Sequence, residues 1–437
     1  MQNNKEKSNS ILDTGIKLRV IYKNDLDFIK QIIVHKSFID SVSLYPNPKK
    51  IFHRNYNKKP VIEWDRYDED TQFIIRFLNQ YNIKIYLLLD FTDLDPNTVE
   101  NYNDSGLRFY LKRLINESGL KKITVFNLPL AAKIKNDFPE ISLEISGNAV
   151  VDNVEKARGW LEAVEVDSLC VPCRLNKKLK TLNQLKKKTN LKLSIIVNNC
   201  CLTNCPAEIS CKNLGPYLKE YFSFFDCRVA MAEKPWQAYR QGYIVPANLK
   251  QYQGIIDTAV IDGEGMSVKE VMAQVVHYSQ HMDSYEYCNA SLKGTLPFYH
   301  PYAIGEEPPE VFGRVSDCDS DCESCHYCCN VWEQYSNAPD GIEHCLRGYS
   351  YLKRHDYKSA VLSFNEYMNI SGCRIDANLC YNIGVCYKNL NEYDKAVQYF
   401  TKAVKLNPEY DRSRTELEEV QKASEQEKEQ GTKNNKD

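Results

Sequence analysis

From about residue 17 onward, short apolar runs alternate with longer stretches in which apolar positions return every three or four residues. The runs Leu18–Tyr22, Ser41–Tyr45, Lys84–Phe91, Lys122–Asn127, Ser142–Ser146, Ser168–Pro172, Lys192–Val197 and Thr258–Asp262 have the length and β-branched content of strands. Between them, Asp70–Tyr81, Gly106–Ser118, Asn153–Ala163 and Leu175–Lys188 carry the one-sided apolar stripe of surface helices. Eight strands alternating with helices predict an α/β protein built on a (β/α)8 TIM-like barrel over residues 17–290. Nearly continuous apolar strands such as Ile85–Leu89 suit a parallel sheet buried on both faces. A doubly wound open sheet is the alternative, and no Gly-x-Gly-x-x-Gly turn follows the first strand to favour it.

The pattern breaks on either side of this region. Residues 1–16 are polar and are expected to be disordered, as are 426–437. Residues 291–340 carry Pro297, Pro301, Pro308 and Pro309, then a dense run of cysteines, and read as a Cys-rich metal-binding segment. In 341–425, Gly348, Tyr351, Ala360 and Phe364 return as Gly384, Tyr387, Ala396 and Phe400, each 36 residues on. Small residues at these positions let paired helices approach, and the unit closes with Ala403 and Pro408. The pattern matches the tetratricopeptide repeat, with Asp411–Ala423 as a capping helix. Cys373, Cys380 and Cys386 fall inside the repeats and read as packing residues.

Charge and thiol content narrow the function. The formal net charge of −2 leaves no footprint for general nucleic-acid binding. The lysines between Lys177 and Lys192 read as the wet face of one helix, because Leu179, Leu182, Leu185 and Leu191 supply its apolar side. No apolar segment resembling a signal peptide opens the chain and no run is long enough to span a bilayer, so the expectation is a soluble cytoplasmic protein. There thiols stay reduced, and 17 cysteines become metal ligands, redox groups or packing residues rather than a disulfide frame.

Two sets of thiols stand out. Cys200, Cys201, Cys205, Cys211 and Cys227 follow the seventh strand directly. A four-thiolate shell binds structural zinc or a [4Fe–4S] cluster. Only one close Cys pair occurs in this long stretch, so an irregular shell of Cys201, Cys205, Cys211 and Cys227 around a cluster is the preferred reading, with Cys173 as a reserve ligand. The distal set, Cys318, Cys322, Cys325 and Cys328, has the density of a second cluster or a zinc site.

The order Val197-Asn198-x-x-Cys201-Leu-x-x-Cys205-Pro206, the segment Ile244-x-Pro246-x-x-Leu249-x-x-Tyr252 and the distal cysteines resemble the collagenase-type peptidase family U32 over residues 17–335. The resemblance implies a barrel with an iron–sulfur cluster at its mouth. Branches of that family are oxygen-independent hydroxylases of RNA bases or of a quinone precursor, and others are called peptidases. Many members carry His where Cys211 stands and end the last strand in basic residues, whereas here it ends Asp262-Gly263-Glu264, which disfavours an anionic RNA substrate.

At the strand ends, where barrels place their chemistry, stand Asp90, Asn127, Ser146, Asn176, Asn198 and Glu264. Each taken alone also suits a helix cap or turn. No His-Glu-x-x-His or Gly-x-Ser-x-Gly sequence is present. The expected activity is therefore a hydroxylation-type redox modification of a peptide, protein or small polar substrate recruited through the repeats. A U32-type peptidase and a non-catalytic, metal-stabilised repeat scaffold are the alternatives.

Overall fold

A computed structural model describes residues 14–22, 26–46, 69–90, 102, 106–199, 234–263, 266–280, 309–316, 318–319, 321–335, 341–373, 375–408 and 411–434. Eight parallel strands close into a barrel in sequence order: β1 (Lys17–Ile21), β2 (Ile39–Leu44), β3 (Lys84–Leu89), β4 (Lys122–Val125), β5 (Ser142–Ile145), β6 (Ser168–Cys170), β7 (Lys192–Ile196) and β8 (Thr258–Ile261). Closure comes from β8 pairing with β1, where Arg19 lies opposite Val260. The helices α1 (Leu26–Val34), α2 (Glu69–Gln80), α3 (Gly106–Ser118), α4 (Leu128–Asp137), α5 (Val154–Ala163), α6 (Leu179–Thr189) and α7 (Val268–Gln280) cover the outside. The expected (β/α)8 architecture is the one observed, with strand limits within a few residues of those read from the pattern.

Along each strand, alternate residues take opposite sides. Val20, Leu87, Ile123, Leu143, Leu193 and Ala259 are buried together with Leu78, Leu111, Ile134, Trp160, Leu185 and Val275 of the helices, forming one continuous core between sheet and helix layer. Burying each of the larger side chains contributes about 1.5–3 kcal/mol, so this shell supplies most of the barrel's stability. The residues between them are different in kind. Arg19, Ser41, Ser43, Thr124, Glu144, Ser168 and Ser194 are buried and polar. The sheet is covered on both faces as expected, but its inner face carries a hydrogen-bonded network of Arg19, Glu144, Thr124 and Ser194 among its apolar residues.

The described residues divide into two compact units, the barrel with residues as far as Asn330 in one, and 234–236 with Val331 onward in the other. The first unit also holds α8 (Pro309–Ser316) and the one-turn α9 (Cys322–Cys325); α10 spans Tyr327–Tyr335. The second unit contains the helix pairs α11 (Ile342–Lys353) with α12 (Tyr357–Met368) and α13 (Ala377–Asn389) with α14 (Tyr393–Leu406). The recurring glycines explain the close pairing. A Cβ on Gly348 would stand 2.5 Å from the Phe364 ring, and one on Gly384 would stand 2.8 Å from the Phe400 ring. Asp356 and Asp376 begin α12 and α13 by accepting from the Ser359 and Leu379 amides at 3.1 and 2.8 Å. Cys380 and Cys386 are buried, and burial pushes the Cys386 thiol up to about 12, so it packs as a neutral group. The final helix, α15 (Asp411–Asn434), continues well past Ala423. Its extra turns are rich in Glu, Gln and Lys, which favour helix strongly.

Candidate active site at the barrel mouth

The polar interior is organised around one ion pair. Arg19 of β1 reaches across the barrel to Glu144 of β5, donating from Nη1 and Nη2 to the two carboxylate oxygens at 2.9 Å each. Arg19 Nη2 also donates to Ser194 Oγ, while Ser194 and Thr124 hydroxyls donate to Glu144, all at 2.9 Å. The Tyr86 ring lies 4.1 Å from the guanidinium carbon. Arg19 and Glu144 are only 2% and 3% exposed, so the bidentate geometry and the added hydroxyls have to offset a large desolvation cost. Burial works against the Arg19 charge, and Glu144 more than compensates, leaving the guanidinium above its ordinary range. Burial likewise pushes the Tyr86 phenol up to about 12.

Above this layer the strand ends present the mouth. Asp90, one residue beyond β3, has its carboxyl pushed up to about 6, first by desolvation and then by the negative fields of Asp262 and Glu144. Hydrogen bonds from its own backbone and from Ser146 pull in the other direction without cancelling the rise. Asn198 ties two strand ends together: its amide donates to the Asp262 carbonyl at 2.7 Å and its Oδ1 accepts from the Asp262 amide at 2.9 Å. Asn176 donates to the Ile196 and Gly242 carbonyls at 2.7 and 2.6 Å, and its own carbonyl accepts from Tyr252. Its buried Oδ1 has no hydrogen-bond partner among the described residues. Asn127 caps α4 by accepting from the Leu130 amide at 2.9 Å, and Ser146 accepts from the Asn148 amide at 3.1 Å. Asp90, Ser146 and Asp262 thus share one electrostatic environment, Asn176 and Asn198 are pinned to backbone, and Asn127 serves a helix terminus. Glu264 lies outside the described residues.

The Arg19–Glu144 pair, with Tyr86, Thr124 and Ser194, is absent from the expectations drawn from sequence. Its signal was the strict alternation in Lys-Leu-Arg-Val-Ile, Lys-Ile-Thr-Val, Ser-Leu-Glu-Ile and Lys-Leu-Ser-Ile-Ile, where one polar residue sits between two apolar ones. In a strand covered on both faces, that residue has to meet a partner inside the barrel.

Of the first cysteine set, Cys201, Cys205, Cys211 and Cys227 lie outside the described residues. Cys173 is buried just beyond β6, in a single turn of helix over Cys173–Leu175. It lines a cleft with Arg174, Lys177, Lys178, Arg240, Gln241, Gly242, Val315 and Cys318. Arg174 pairs with Asp152, and Lys177 donates to the Tyr239 carbonyl at 2.6 Å. The distal set reaches the same neighbourhood: Lys178 donates to the Cys318 carbonyl and Arg240 Nη1 to Cys322 Sγ. Cys328 is buried, and burial pushes its thiol up to about 11 against the pull of Arg240. Among the described residues, no three His, Cys, Asp or Glu side chains converge closely enough to hold a single metal ion. No described helix is long and apolar enough to cross a membrane.

Comparison with known proteins adds three findings. Residues 377–410 match the tetratricopeptide repeat family. Over 203 residues, 45% of this chain, the sequence is 23% identical to an uncharacterized protease of Methanocaldococcus jannaschii, of which the chain spans 60%. Among solved structures, a U32 peptidase aligns at 16% identity over 60% of this chain and 97% of its own, with a TM-score of 0.39. An aldolase, YdjI of Escherichia coli K12, aligns at 10% identity over 65% of this chain and 95% of its own, with a TM-score of 0.33.

Proposed function

We propose that this chain is a barrel enzyme of the U32-peptidase type, acting on a polypeptide at the barrel mouth, with the tetratricopeptide module recruiting the protein that carries the substrate segment. The reading rests on one observation above the others: Asp90, at the end of β3, is a carboxyl poised at about 6 beside Ser146 and within the field of Asp262. A group that titrates near neutrality accepts and returns a proton at physiological pH. In peptide hydrolysis, Asp90 takes a proton from the attacking water and delivers one to the departing amine. Desolvation first, and then the field of Asp262, whose backbone is fixed by Asn198, keep the carboxyl of Asp90 protonated to higher pH. The sequence likeness to a protease supports the choice of a polypeptide substrate and of hydrolysis over the redox reaction preferred from sequence alone.

The test is incubation of the anaerobically purified full chain with denatured protein and peptide mixtures, followed by mass spectrometry of the products. Cleavage is expected, reduced about 10²–10⁴-fold in Asp90→Asn, the range for loss of a general acid–base group. Cleavage undiminished in Asp90→Asn, or no cleavage by the wild-type chain, rejects the hydrolytic reading.

A second reading is favoured by the basic, thiol-bearing cleft around Cys173 and Arg240. Cys201, Cys205, Cys211 and Cys227, with Cys173 in reserve, form a donor set whose thiolate chemistry suits a [4Fe–4S] cluster. Such a cluster supplies one-electron redox chemistry when bound. The chain's own residues would bind and orient the substrate at the mouth, and a hydroxylation replacing C–H by C–OH would draw its oxygen atom from a separate oxygen donor. A partner protein that gains one oxygen when such a donor is supplied, and fails to do so with Cys205→Ser, would establish this reading in place of hydrolysis.

A further inference from the structure

We infer that the basic cleft beside the ends of β6 and β7 binds the C-terminal carboxylate of the polypeptide substrate, with Gln241 accepting from the N–H of its last peptide bond. Given the polypeptide reading proposed above, on which this rests, the site holds the substrate by its free end.

The cleft is positive by construction. Arg174, Lys177, Lys178 and Arg240 line it, and none of its described lining residues is a carboxylate. The chain as a whole carries a formal net charge of −2, so this concentration of cations is local. Lys177 and Lys178 donate to the Tyr239 and Cys318 carbonyls, contacts that orient each ammonium group without neutralising it. Asp152 pairs with Arg174 but also with Lys156, so one carboxylate serves two cations. Immediately after Lys178, α6 begins. A lysine side chain cannot accept from the first-turn amides, and the positive end of the helix dipole adds to the same wall.

Placement and rigidity suit a substrate anchor. Cys173, Arg174, Lys177 and Lys178 follow β6, and the Ile244 amide, two residues beyond Gly242, donates to the Val197 carbonyl just past β7 at 2.8 Å. The cleft therefore stands at the same end of the barrel as Asp90 and Ser146. Its floor is packed backbone. A Cβ on Gly242 would stand 3.0 Å from the Cys173 carbonyl and 3.2 Å from that of Asn199, and Asn176 holds the Gly242 carbonyl at 2.6 Å. Such a floor is set before a ligand arrives, which lowers the cost of ordering the site on binding.

Gln241 narrows the kind of anion. It is 2% exposed, and its buried Oε1 has no hydrogen-bond partner among the described residues. A buried amide oxygen calls for a donor, so the ligand has to bring an N–H together with its negative charge. A phosphate dianion brings no donor, and an internal peptide segment brings no charge. The end of a polypeptide brings both, with carboxylate and N–H separated by a single Cα. An acidic side chain sets its carboxylate at least one carbon farther from its own N–H. Lysine and arginine give the terminal carboxylate charge-assisted hydrogen bonds, the stronger kind. Held by its end here and extended toward Asp90, the substrate would lose short C-terminal fragments of one length.

The experiment uses the immobilised full chain carrying Asp90→Asn, so that bound peptides are not consumed. Two dodecapeptide libraries with the same randomised sequences, one ending in a carboxylate and one in a carboxamide, are mixed in equal amounts. Mass spectrometry then gives their ratio in the captured fraction. Asp and Glu side chains occur equally in both libraries, so the ratio reports the terminus alone. The carboxylate library should be enriched about tenfold or more, as loss of a charged hydrogen bond implies. Lys178→Gln should lower that enrichment. A third library, with an ester oxygen replacing the last N–H, should be captured less well than the amide-linked library, and Gln241→Leu should erase that difference. Equal capture of carboxylate and carboxamide libraries overturns the site without any substitution, even if the wild-type chain cleaves peptides and the hydrolytic reading stands. Enrichment of the carboxylate library by a chain that cleaves nothing supports the site while rejecting hydrolysis. An amide-over-ester preference that survives Gln241→Leu overturns the role given to Gln241.

Discussion

Replacing Glu144 with glutamine keeps the shape of the side chain and removes the charge that Arg19 was built to meet. The two residues are 2% and 3% exposed, and their two bonds of 2.9 Å are the only ionic partnership of the barrel axis among the described residues. Stranding one member of a buried pair costs about 3–5 kcal/mol. Glu144→Gln should fall near the lower end, because the amide oxygen can still accept from Ser194 or Thr124. Arg19→Met should be of similar size, since it leaves a buried carboxylate and also loses the Tyr86 ring contact. The double variant Arg19→Met/Glu144→Leu should return to within about 1 kcal/mol of wild type or exceed it, as apolar replacement of a buried pair removes both desolvation costs. The coupling between the two sites is then several kcal/mol, far above the near-additivity of independent positions. Because the chain has two units, the measurement should follow the barrel alone, by hydrogen exchange in urea on peptides containing β1 and β5. Single variants within 1 kcal/mol of wild type, or a double variant equal to the sum of the singles, would refute the view that this pair organises the barrel axis.

Asp90 has its folded pKa raised to about 6, so the folded state binds the proton more tightly than the unfolded chain does. Its stabilising contribution is complete below about pH 4 and is lost as pH rises to about 6; Asp90→Asn should flatten that part of the stability curve in denaturant titrations. In the hydrolytic reading, the same ionisation produces an activity limb rising through about pH 6, which should move to lower pH in Glu144→Gln, where one of the fields acting on Asp90 is gone. Gly384→Ala would press a methyl group against the Phe400 ring and should destabilise the repeat unit by about 1–3 kcal/mol, seen as earlier exchange in α13 and α14 with the barrel peptides unchanged. Asn176→Leu would leave the Ile196 and Gly242 carbonyls without their donor and should cost about 2–4 kcal/mol in barrel unfolding.

The pattern of apolar positions by itself determined the eight strands, most of their helices, the barrel and the repeat, because each of these depends on periodicity within a dozen residues. It also determined that Gly348 and Gly384 had to be small, and the Phe364 and Phe400 rings are what they accommodate. The strand-end polar residues were legible as a set but not in their roles. Asn127 and Ser146 look alike in sequence to Asp90, yet Asn127 serves a helix terminus, whereas Asp90 has a perturbed carboxyl with Ser146 hydrogen-bonded to it. What tertiary structure alone decided is which distant residues meet. Arg19 and Glu144 are 125 positions apart, and Arg240 and Cys322 are 82 apart. Closure of the sheet places the middles of β1 and β5 across one axis, and docking of residues 309–330 carries a thiol to a barrel arginine. Local preference fixes a residue's side of a strand, but its partner is set by register, curvature and closure, which no window of neighbouring residues contains.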